Sequence, residues 1–160
     1  MLIPTAGLED RALDAIAALE REVVAADGGR LKLDWGSLRE RTGTQVEDLL
    51  WWEGDLLVGF LGMYAFSGSS VELSGMVAPR SRGRGVGGRL LDTALDLARS
   101  RGHDPRLLVV PGTSDAGRHL AQARGGARHH SEHALVLTGP PDDAPMDARI
   151  GVRPAAAADD

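Results

Sequence analysis

The chain has 160 residues, no cysteine and a formal net charge of −5. This length suits one α/β domain with a sizeable core, and the lack of cysteine excludes disulfides, thiolate metal sites and a catalytic thiol. No run approaches the ~20 apolar residues of a membrane span and the N-terminus carries acids where a signal peptide is apolar, so we expect a cytoplasmic protein without a membrane partner.

The first part of the chain predicts a helix followed by antiparallel strands. Residues 8–26 place apolar side chains three and four positions apart, with charged residues mostly opposite, which is typical of an amphipathic helix. A short second helix is expected at residues 35–41. From residue 46 two apolar runs are separated by Glu53-Gly54-Asp55, and another turn precedes residues 70–77. This pattern predicts a three-stranded meander.

The second part predicts helices that alternate with strands. Residues 92–101 continue a helix that a glycine-rich turn opens, and the apolar run at residues 107–110 is typical of a central strand. Residues 114–124 predict a weaker helix. Residues 127–138 predict a long strand, with the stronger pattern in its second half.

The last part of the chain has the composition of a linker. Residues 139–145 contain three prolines and a glycine, and residues 150–159 resemble the start of a new strand more than the end of a fold. We therefore assign residues 1–138 to one domain. Residues 139–160 are a linker followed either by the start of a second domain or by a terminal strand and tail.

The turn from Arg82 to Gly88 is the strongest functional feature of the sequence. Four glycines in seven residues allow an anion to approach several backbone N–H groups at the positive end of the following helix. Residues 79–137 also carry ten arginines or lysines against five acids. This local positive charge favours a small anionic ligand over a large polyanion.

Other glycine motifs explain this turn less well. Gly83, Gly85 and Gly88 also have the spacing of a dinucleotide fingerprint, but residues 79–82 separate them from the strand, and the strand at 107–110 is not followed by an acid that would hold a ribose. The turn has no aromatic residues on which bases could stack, so we expect no nucleic-acid partner. A plain surface loop would leave the strand–turn–helix order unexplained.

With its elements in order, the chain resembles the GNAT superfamily of acyl-CoA-dependent N-acyltransferases. The family signature is Arg or Gln, two residues, Gly, one residue, then Gly or Ala, and Arg82, Gly85 and Gly87 match it. The element order agrees over residues 1–138. The linker and residues 150–154 also resemble the junction in tandem GNAT proteins, including mycothiol synthase-like enzymes, which would make this chain an N-terminal half.

The resemblance implies an α/β (α+β) GNAT fold, with a mixed, mostly antiparallel sheet of about six or seven strands flanked by helices. It implies an N-acetyltransferase that transfers an acetyl group from acetyl-CoA to an amine of a small molecule by direct attack. The alternative is a non-catalytic acyl-CoA-binding half of a tandem protein. The partners it implies are a second GNAT domain or a second copy in a homodimer.

The resemblance also implies where the coenzyme binds. The strand before the turn would pair its backbone with the pantetheine arm, and the turn would hold the pyrophosphate. The coenzyme-binding residues are then Met76, Val77, Arg82, Gly83, Arg84, Gly85, Val86, Gly87, Gly88, Arg89 and Ser114.

The catalytic residues are less clear from the sequence. The backbone N–H near Val77 could donate to the developing oxyanion, and Glu72 is a candidate base because Val71 and Leu73 could raise its pKa. Strand alternation makes an ordinary carboxylate on a polar face an equal alternative for Glu72.

The usual general acid of the family is missing. GNAT enzymes often have an Asn and, seven residues later, a Tyr that protonates the leaving thiolate, but this chain has Ser114 and Ala121 at those positions. Ser114 and His119 are alternatives, and Tyr64 is expected to pack rather than to catalyse. His129, His130 and His133 do not share one strand face, so we expect no metal site.

Overall fold

The computed structural model describes residues 1–65, 68–133, 135, 138–139, 147, 149, 151 and 153. The chain divides into two compact units, Met1–Ala127 and Arg128–Asp160. The helices and strands of the described residues all lie in the first unit. No helix in the described ranges combines the length and the apolar character needed to cross a membrane.

Apart from a first strand that was not predicted, the helices and strands of the first unit follow the order that the sequence predicts. A 3₁₀ turn at Pro79–Ser81 precedes the third helix. The elements are β1 (Leu2–Thr5), α1 (Asp10–Asp27), α2 (Trp35–Glu40), β2 (Asp48–Glu53), β3 (Leu56–Tyr64), β4 (Val71–Val77), α3 (Val86–Ser100), β5 (Arg106–Val109) and α4 (Asp115–Ala123).

The five strands form one mixed sheet in the order β1-β2-β3-β4-β5. The pairs from β1 to β4 are antiparallel, and β4 pairs with β5 in parallel. The predicted meander is β2, β3 and β4, with turns at residues 54–55 and 68–69. The parallel pair needs a crossover connection, and α3 supplies it.

The strand count departs from the prediction at both ends of the chain. Among the described residues the sheet has five strands rather than six or seven. Residues 127–133, predicted as part of a long strand, have no strand structure, and residues 134, 136 and 137 of that prediction lie outside the described residues. β1 was not predicted because four residues that include Pro4 carry too short a pattern, although proline is tolerated on an edge strand such as this one.

Helices cover both faces of the sheet. The buried stripe of α1, which consists of Ile16, Leu19 and Val23, packs with Phe60 and Met76 on one face. On the other face, buried residues of α3 pack against a second group of strand residues. Since strand side chains alternate between faces, β4 contributes Met76 to the first core and Leu73 to the second.

The start of α3 lies directly on β3 because β3 has a glycine there. A Cβ atom at Gly59 would lie 2.8 Å from Val86 Cγ1 and 3.0 Å from Leu90 Cδ1. Gly59 also pairs with Val77, the last residue of β4. This glycine therefore sets the distance between the end of β4 and the first turn of α3.

A buried polar cluster lies near the amino end of β4. The Arg41 guanidinium is 2.9 Å from Glu47 Oε1 and 3.2 Å from Asp48 Oδ2, and Arg41 Nη2 donates to the Met63 carbonyl oxygen at 2.9 Å. Burial raises the pKa of Asp48 to about 6, and the charge of Arg41 opposes this shift. Burial, followed by the charge of Asp48, raises the pKa of Tyr64 well above its usual value.

Candidate functional site

A cavity of about 560 Å³ opens at the carboxyl end of β4. Its walls come from the last turns of α1, the end of β4, the glycine turn, the first turns of α3, the end of β5 and the start of α4. The cavity therefore lies where the parallel strands β4 and β5 end, which is a common position for ligand sites in open sheets.

The end of β4 presents unpaired backbone to this cavity. The pairing of β4 with β5 stops at Ser74 and Val109, while β4 continues to Val77. The Ala78 N–H donates to the Val58 carbonyl oxygen at 2.9 Å, so by strand alternation the backbone groups of Gly75 and Val77 point away from β3. Beyond the last β5 pair, the backbone groups of Gly75 and the N–H of Val77 face the cavity and can hydrogen-bond an extended ligand, while the Val77 carbonyl oxygen accepts from Arg82 Nε.

The glycine turn forms the second wall of the cavity. Gly83 and Gly85 have φ angles of +71° and +83°, a left-handed conformation that side chains with a Cβ rarely adopt. A Cβ at either position would meet nothing within 4 Å. These two glycines are therefore required by the backbone conformation and not by contacts within the protein.

The first turn of α3 supplies hydrogen-bond donors to the cavity. The Arg89 N–H donates to the Gly85 carbonyl oxygen at 3.0 Å, so the N–H groups of Val86, Gly87 and Gly88 precede the first helical bond. All three residues line the cavity, and no acidic residue lies in this turn. Adjacent free donors at a positive helix end fit a phosphate group.

Arg82 connects the glycine turn to α1. Its Nη1 and Nη2 atoms donate to the two carboxylate oxygens of Asp27, both at 2.8 Å, and its Nε donates to the Val77 carbonyl oxygen at 3.1 Å. The side chains of Arg82 and Asp27 are 32% and 21% exposed. This network holds three walls of the cavity together.

Ser81 places an unsatisfied hydroxyl at the cavity wall. The residue is 1% exposed and lines the cavity, and its Oγ has no hydrogen-bond partner in the part of the chain that the structure describes. A buried polar atom without a partner is costly. A polar ligand or a water in the cavity would remove this cost.

The fourth side of the cavity comes from α4. Ser114 caps this helix, since its Oγ accepts a hydrogen bond from the Gly117 N–H at 3.1 Å. Arg124, just after α4, donates to both carboxylate oxygens of Asp92 on α3, each at 3.1 Å. The hydrogen bond from Arg124 holds the pKa of Asp92 below its ordinary value.

A sequence model of the acetyltransferase (GNAT) family matches residues 12–125. The chain belongs to the GNAT acetyltransferase family. It is 38% identical over 114 residues to a mycothiol acetyltransferase of Kytococcus sedentarius. The match takes in 69% of this chain but 34% of that relative, so the chain spans about a third of the relative's length.

Solved structures confirm the fold of this GNAT domain. An acetyltransferase of the GNAT family from Streptococcus pneumoniae superposes with a TM-score of 0.62 at 19% identity, over 88% of this chain and 94% of that one. A GCN5-related N-acetyltransferase from Sphaerobacter thermophilus gives 0.61 at 22% identity, over 77% and 42%. An N-acetylglutamate synthase from Neisseria gonorrhoeae, solved with coenzyme A and N-acetyl-glutamate, gives 0.57 at 20% identity, over 77% and 27%.

The structure brings together most of the coenzyme-binding residues that the sequence predicts. Arg84 is absent from the cavity lining, because its guanidinium lies 3.1 Å from Glu53 on β2. The predicted residues that do line the cavity are Met76, Val77, Arg82, Gly83, Gly85, Val86, Gly87, Gly88, Arg89 and Ser114.

The predicted base lies elsewhere in the GNAT domain. Glu72 is not among the residues that line the cavity, and its Oε2 lies 3.0 Å from Lys32 Nζ. By strand alternation Glu72 shares a face of β4 with Met76, whose side chain packs in the core beneath α1. A role as base would therefore require the acceptor to approach from the α1 side of the sheet.

Sequence reasoning missed the two carboxylates that hold arginines of the cavity wall, Asp27 and Asp92. Asp27 is 55 positions from Arg82, and Asp92 is 32 positions from Arg124. No local pattern links residues so far apart. The described ranges contain no group of three or more His, Cys, Asp or Glu that could hold a metal ion.

Proposed function

We propose that this GNAT domain binds acetyl-CoA in the cavity at the end of β4 and transfers the acetyl group to an amine of a small molecule by direct attack. One observation carries this proposal: the free N–H groups at the start of α3 and the unpaired backbone at the end of β4 open into the same cavity. One set of donors suits a pyrophosphate and the other suits an extended chain of amides.

The residues present fit this coenzyme. The N–H groups of Val86, Gly87 and Gly88 would hold pyrophosphate oxygens, and the turn can approach them because Gly83 and Gly85 have open space around them. The backbone of Gly75 would bind the pantetheine arm, and the N–H of Val77 would reach the thioester at its end. The relative solved with coenzyme A, from N. gonorrhoeae, has the same fold.

Acetyl-CoA supplies an activated thioester. The chain must orient this thioester, remove a proton from the amine and provide a proton for the leaving thiolate. The Val77 N–H would donate to the thioester carbonyl oxygen, because this N–H faces the cavity. The carbonyl oxygen of Val77 itself accepts a hydrogen bond from Arg82 Nε. Glu72 is the proposed base for the amine. By its resemblance to the GNAT family, the chain has Ala121 where a tyrosine acid is expected, so we expect turnover to be slow by the ~10²–10⁴-fold that a general acid contributes.

A second candidate function is a non-catalytic acyl-CoA-binding half of a tandem GNAT protein. Two observations favour it: Ala121 lacks an acidic group, and the Ser114 hydroxyl is occupied as a helix cap. This chain spans about a third of the mycothiol acetyltransferase relative, and the rest of that relative is long enough for a further domain. In this case the chemistry would belong to the partner domain.

Calorimetric titration with acetyl-CoA tests the binding step that both functions share. We expect saturable binding at micromolar to millimolar ligand, and no heat of binding at millimolar acetyl-CoA would reject both functions.

A thiol-release assay with a library of amines then separates the two functions. Release that depends on the amine supports the enzyme, whereas binding without release supports the non-catalytic half. Glu72→Gln should lower the rate if Glu72 is the base, and Glu22→Gln is the matched control because Glu22 pairs with the exposed Arg80 outside the cavity. An unchanged rate in Glu72→Gln would remove Glu72 from the mechanism.

A further inference from the structure

Two arginines at the cavity wall form bidentate pairs with carboxylates, but the two pairs are built differently. Arg82 also donates to the Val77 carbonyl oxygen, so three bonds hold it in the turn. Arg124 bonds only Asp92 among the described residues, and the side chains of this pair are 32% and 54% exposed. Arg124 is therefore the one of the two that can exchange its partner at low cost.

Arg124 lies over the first turn of α3. Its Nη2 atom lies 2.6 Å from the position that a Cβ atom of Gly88 would occupy, so a larger residue at position 88 would displace the guanidinium. Gly88 carries the last of the three free N–H groups that precede the first helical bond. The guanidinium thus lies beside the end of the backbone donor set, on the side of the cavity that α4 forms.

The single charge of the Asp92 carboxylate indicates which anion could compete with it for the Arg124 guanidinium. An ionised carboxylate carries one charge, whereas a phosphate monoester carries about −1.5 to −2 at neutral pH and has three acceptor oxygens. The two phosphates of a pyrophosphate diester carry one charge each and are already served by the N–H groups of the turn. A terminal phosphate monoester is the stronger competitor for a bidentate guanidinium.

We infer that Arg124 is the binding residue for the terminal phosphate monoester of the coenzyme, which it reaches by leaving Asp92. This inference rests on the proposed coenzyme site and adds a specificity to it. The domain distinguishes CoA, which has a 3′-phosphate on its ribose, from 3′-dephospho-CoA, which lacks that group. Asp92 holds the guanidinium in place while the cavity is empty.

Calorimetric titration of the whole chain with CoA and with 3′-dephospho-CoA tests the inference. We expect the wild-type protein to bind CoA at least about tenfold more tightly, the effect of one charge-assisted hydrogen-bonding group. Arg124→Gln should lose about tenfold in CoA affinity and keep its affinity for 3′-dephospho-CoA, so that the two ligands bind alike.

Arg118→Gln is the matched control for this variant. Arg118 lies on α4, pairs with the carboxylate of Asp115 and does not line the cavity, so its loss removes the same charge near the site. This variant should still distinguish the two ligands. Asp92→Asn should bind CoA more tightly than the wild type does and leave 3′-dephospho-CoA unchanged, because Arg124 no longer has to leave a carboxylate.

Several outcomes would overturn the inference while acetyl-CoA binding stands. Equal wild-type affinities for the two ligands, an equal loss of both in Arg124→Gln, or weaker CoA binding in Asp92→Asn would each do so. Equal loss would assign Arg124 to the pyrophosphate or to the shape of the cavity. If the wild-type protein binds neither ligand, the coenzyme site itself is wrong, and the inference fails with it.

Discussion

The two ends of β4 use the same kinds of residues for opposite purposes. At its amino end, the Arg41 side chain is 6% exposed and Asp48 is fully buried, and protein groups surround the guanidinium. At its carboxyl end, arginines and carboxylates stand at the wall of an open cavity, beside backbone donors that precede the first bond of α3. At the amino end the charged side chains pair with each other, whereas at the carboxyl end backbone donors remain for a ligand.

This difference separates stability from binding along a single strand. The cluster at the amino end should contribute to folding without affecting the coenzyme, since none of its charged residues lines the cavity. The carboxyl end should affect coenzyme affinity more than folding. Substitutions at the two ends can therefore be compared by two measurements, urea unfolding and acetyl-CoA titration.

The largest effect is expected at the amino end of β4. Arg41→Gln leaves Asp48 and Glu47 without their cation, and breaking a buried ion pair costs about 3–5 kcal/mol of the free energy of unfolding. Urea unfolding measures this loss, and acetyl-CoA affinity should stay unchanged. Arg11→Gln, which breaks an exposed pair with Asp55, is the control and should cost less than about 1 kcal/mol. A large loss of affinity in Arg41→Gln would contradict the separation.

At the carboxyl end of β4, Gly85→Val should abolish most coenzyme binding. Residue 85 has a φ of +83° and open space around it, so a valine side chain would strain the turn and project where a phosphate would bind. We expect acetyl-CoA affinity to fall about a hundredfold or more, roughly 2.7 kcal/mol. Gly102→Val is the control, because residue 102 has a φ of +74° and open space away from the cavity. Equal affinity losses in the two variants would show that strain alone is responsible.

The polar cluster at the amino end of β4 should also make the free energy of unfolding depend on pH. The pKa of Asp48 in the folded protein is about 6, above its ordinary value of 3.8, so the folded protein holds this proton where the unfolded chain has lost it. The contribution of Asp48 to stability therefore falls as pH rises from about 4 to 6, by roughly 2 kcal/mol between pH 4.5 and 6.5. Urea unfolding at these two pH values checks this slope. Asp48→Asn should flatten the slope, and an unchanged slope would assign it to other groups.

The smallest effect is expected for the pair that holds the glycine turn to α1. Asp27→Asn keeps the shape of the side chain but removes its charge, and we expect a loss of about 1 kcal/mol of stability for this partly exposed pair. Acetyl-CoA affinity should fall severalfold in Asp27→Asn and in Arg82→Gln. The exchanged pair Asp27→Arg with Arg82→Asp should recover part of that affinity. If the exchanged pair binds no better than the single variants, the ion pair does not position the turn.

Several parts of the fold and the site could be predicted because their signals are local. The α1 stripe, the turns of the meander and the glycine-rich turn before α3 each depend on residues a few positions apart. The long strand at residues 127–138 was predicted from the same kind of pattern, yet residues 127–133 are not a strand. An alternating pattern permits a strand, but pairing with a neighbour is needed to form one.

The sequence alone was sufficient for the family, through the motif at Arg82, Gly85 and Gly87, and for most of the helices and strands, because periodicity and turn residues act over one or two turns of chain. Tertiary structure decided what each charged residue does. Arg82 is held by Asp27, Arg124 by Asp92, and Glu72 lies beside Lys32 and away from the cavity lining. Ion pairs form between residues that packing brings within a few ångströms, whatever their separation along the chain, so no local pattern shows them.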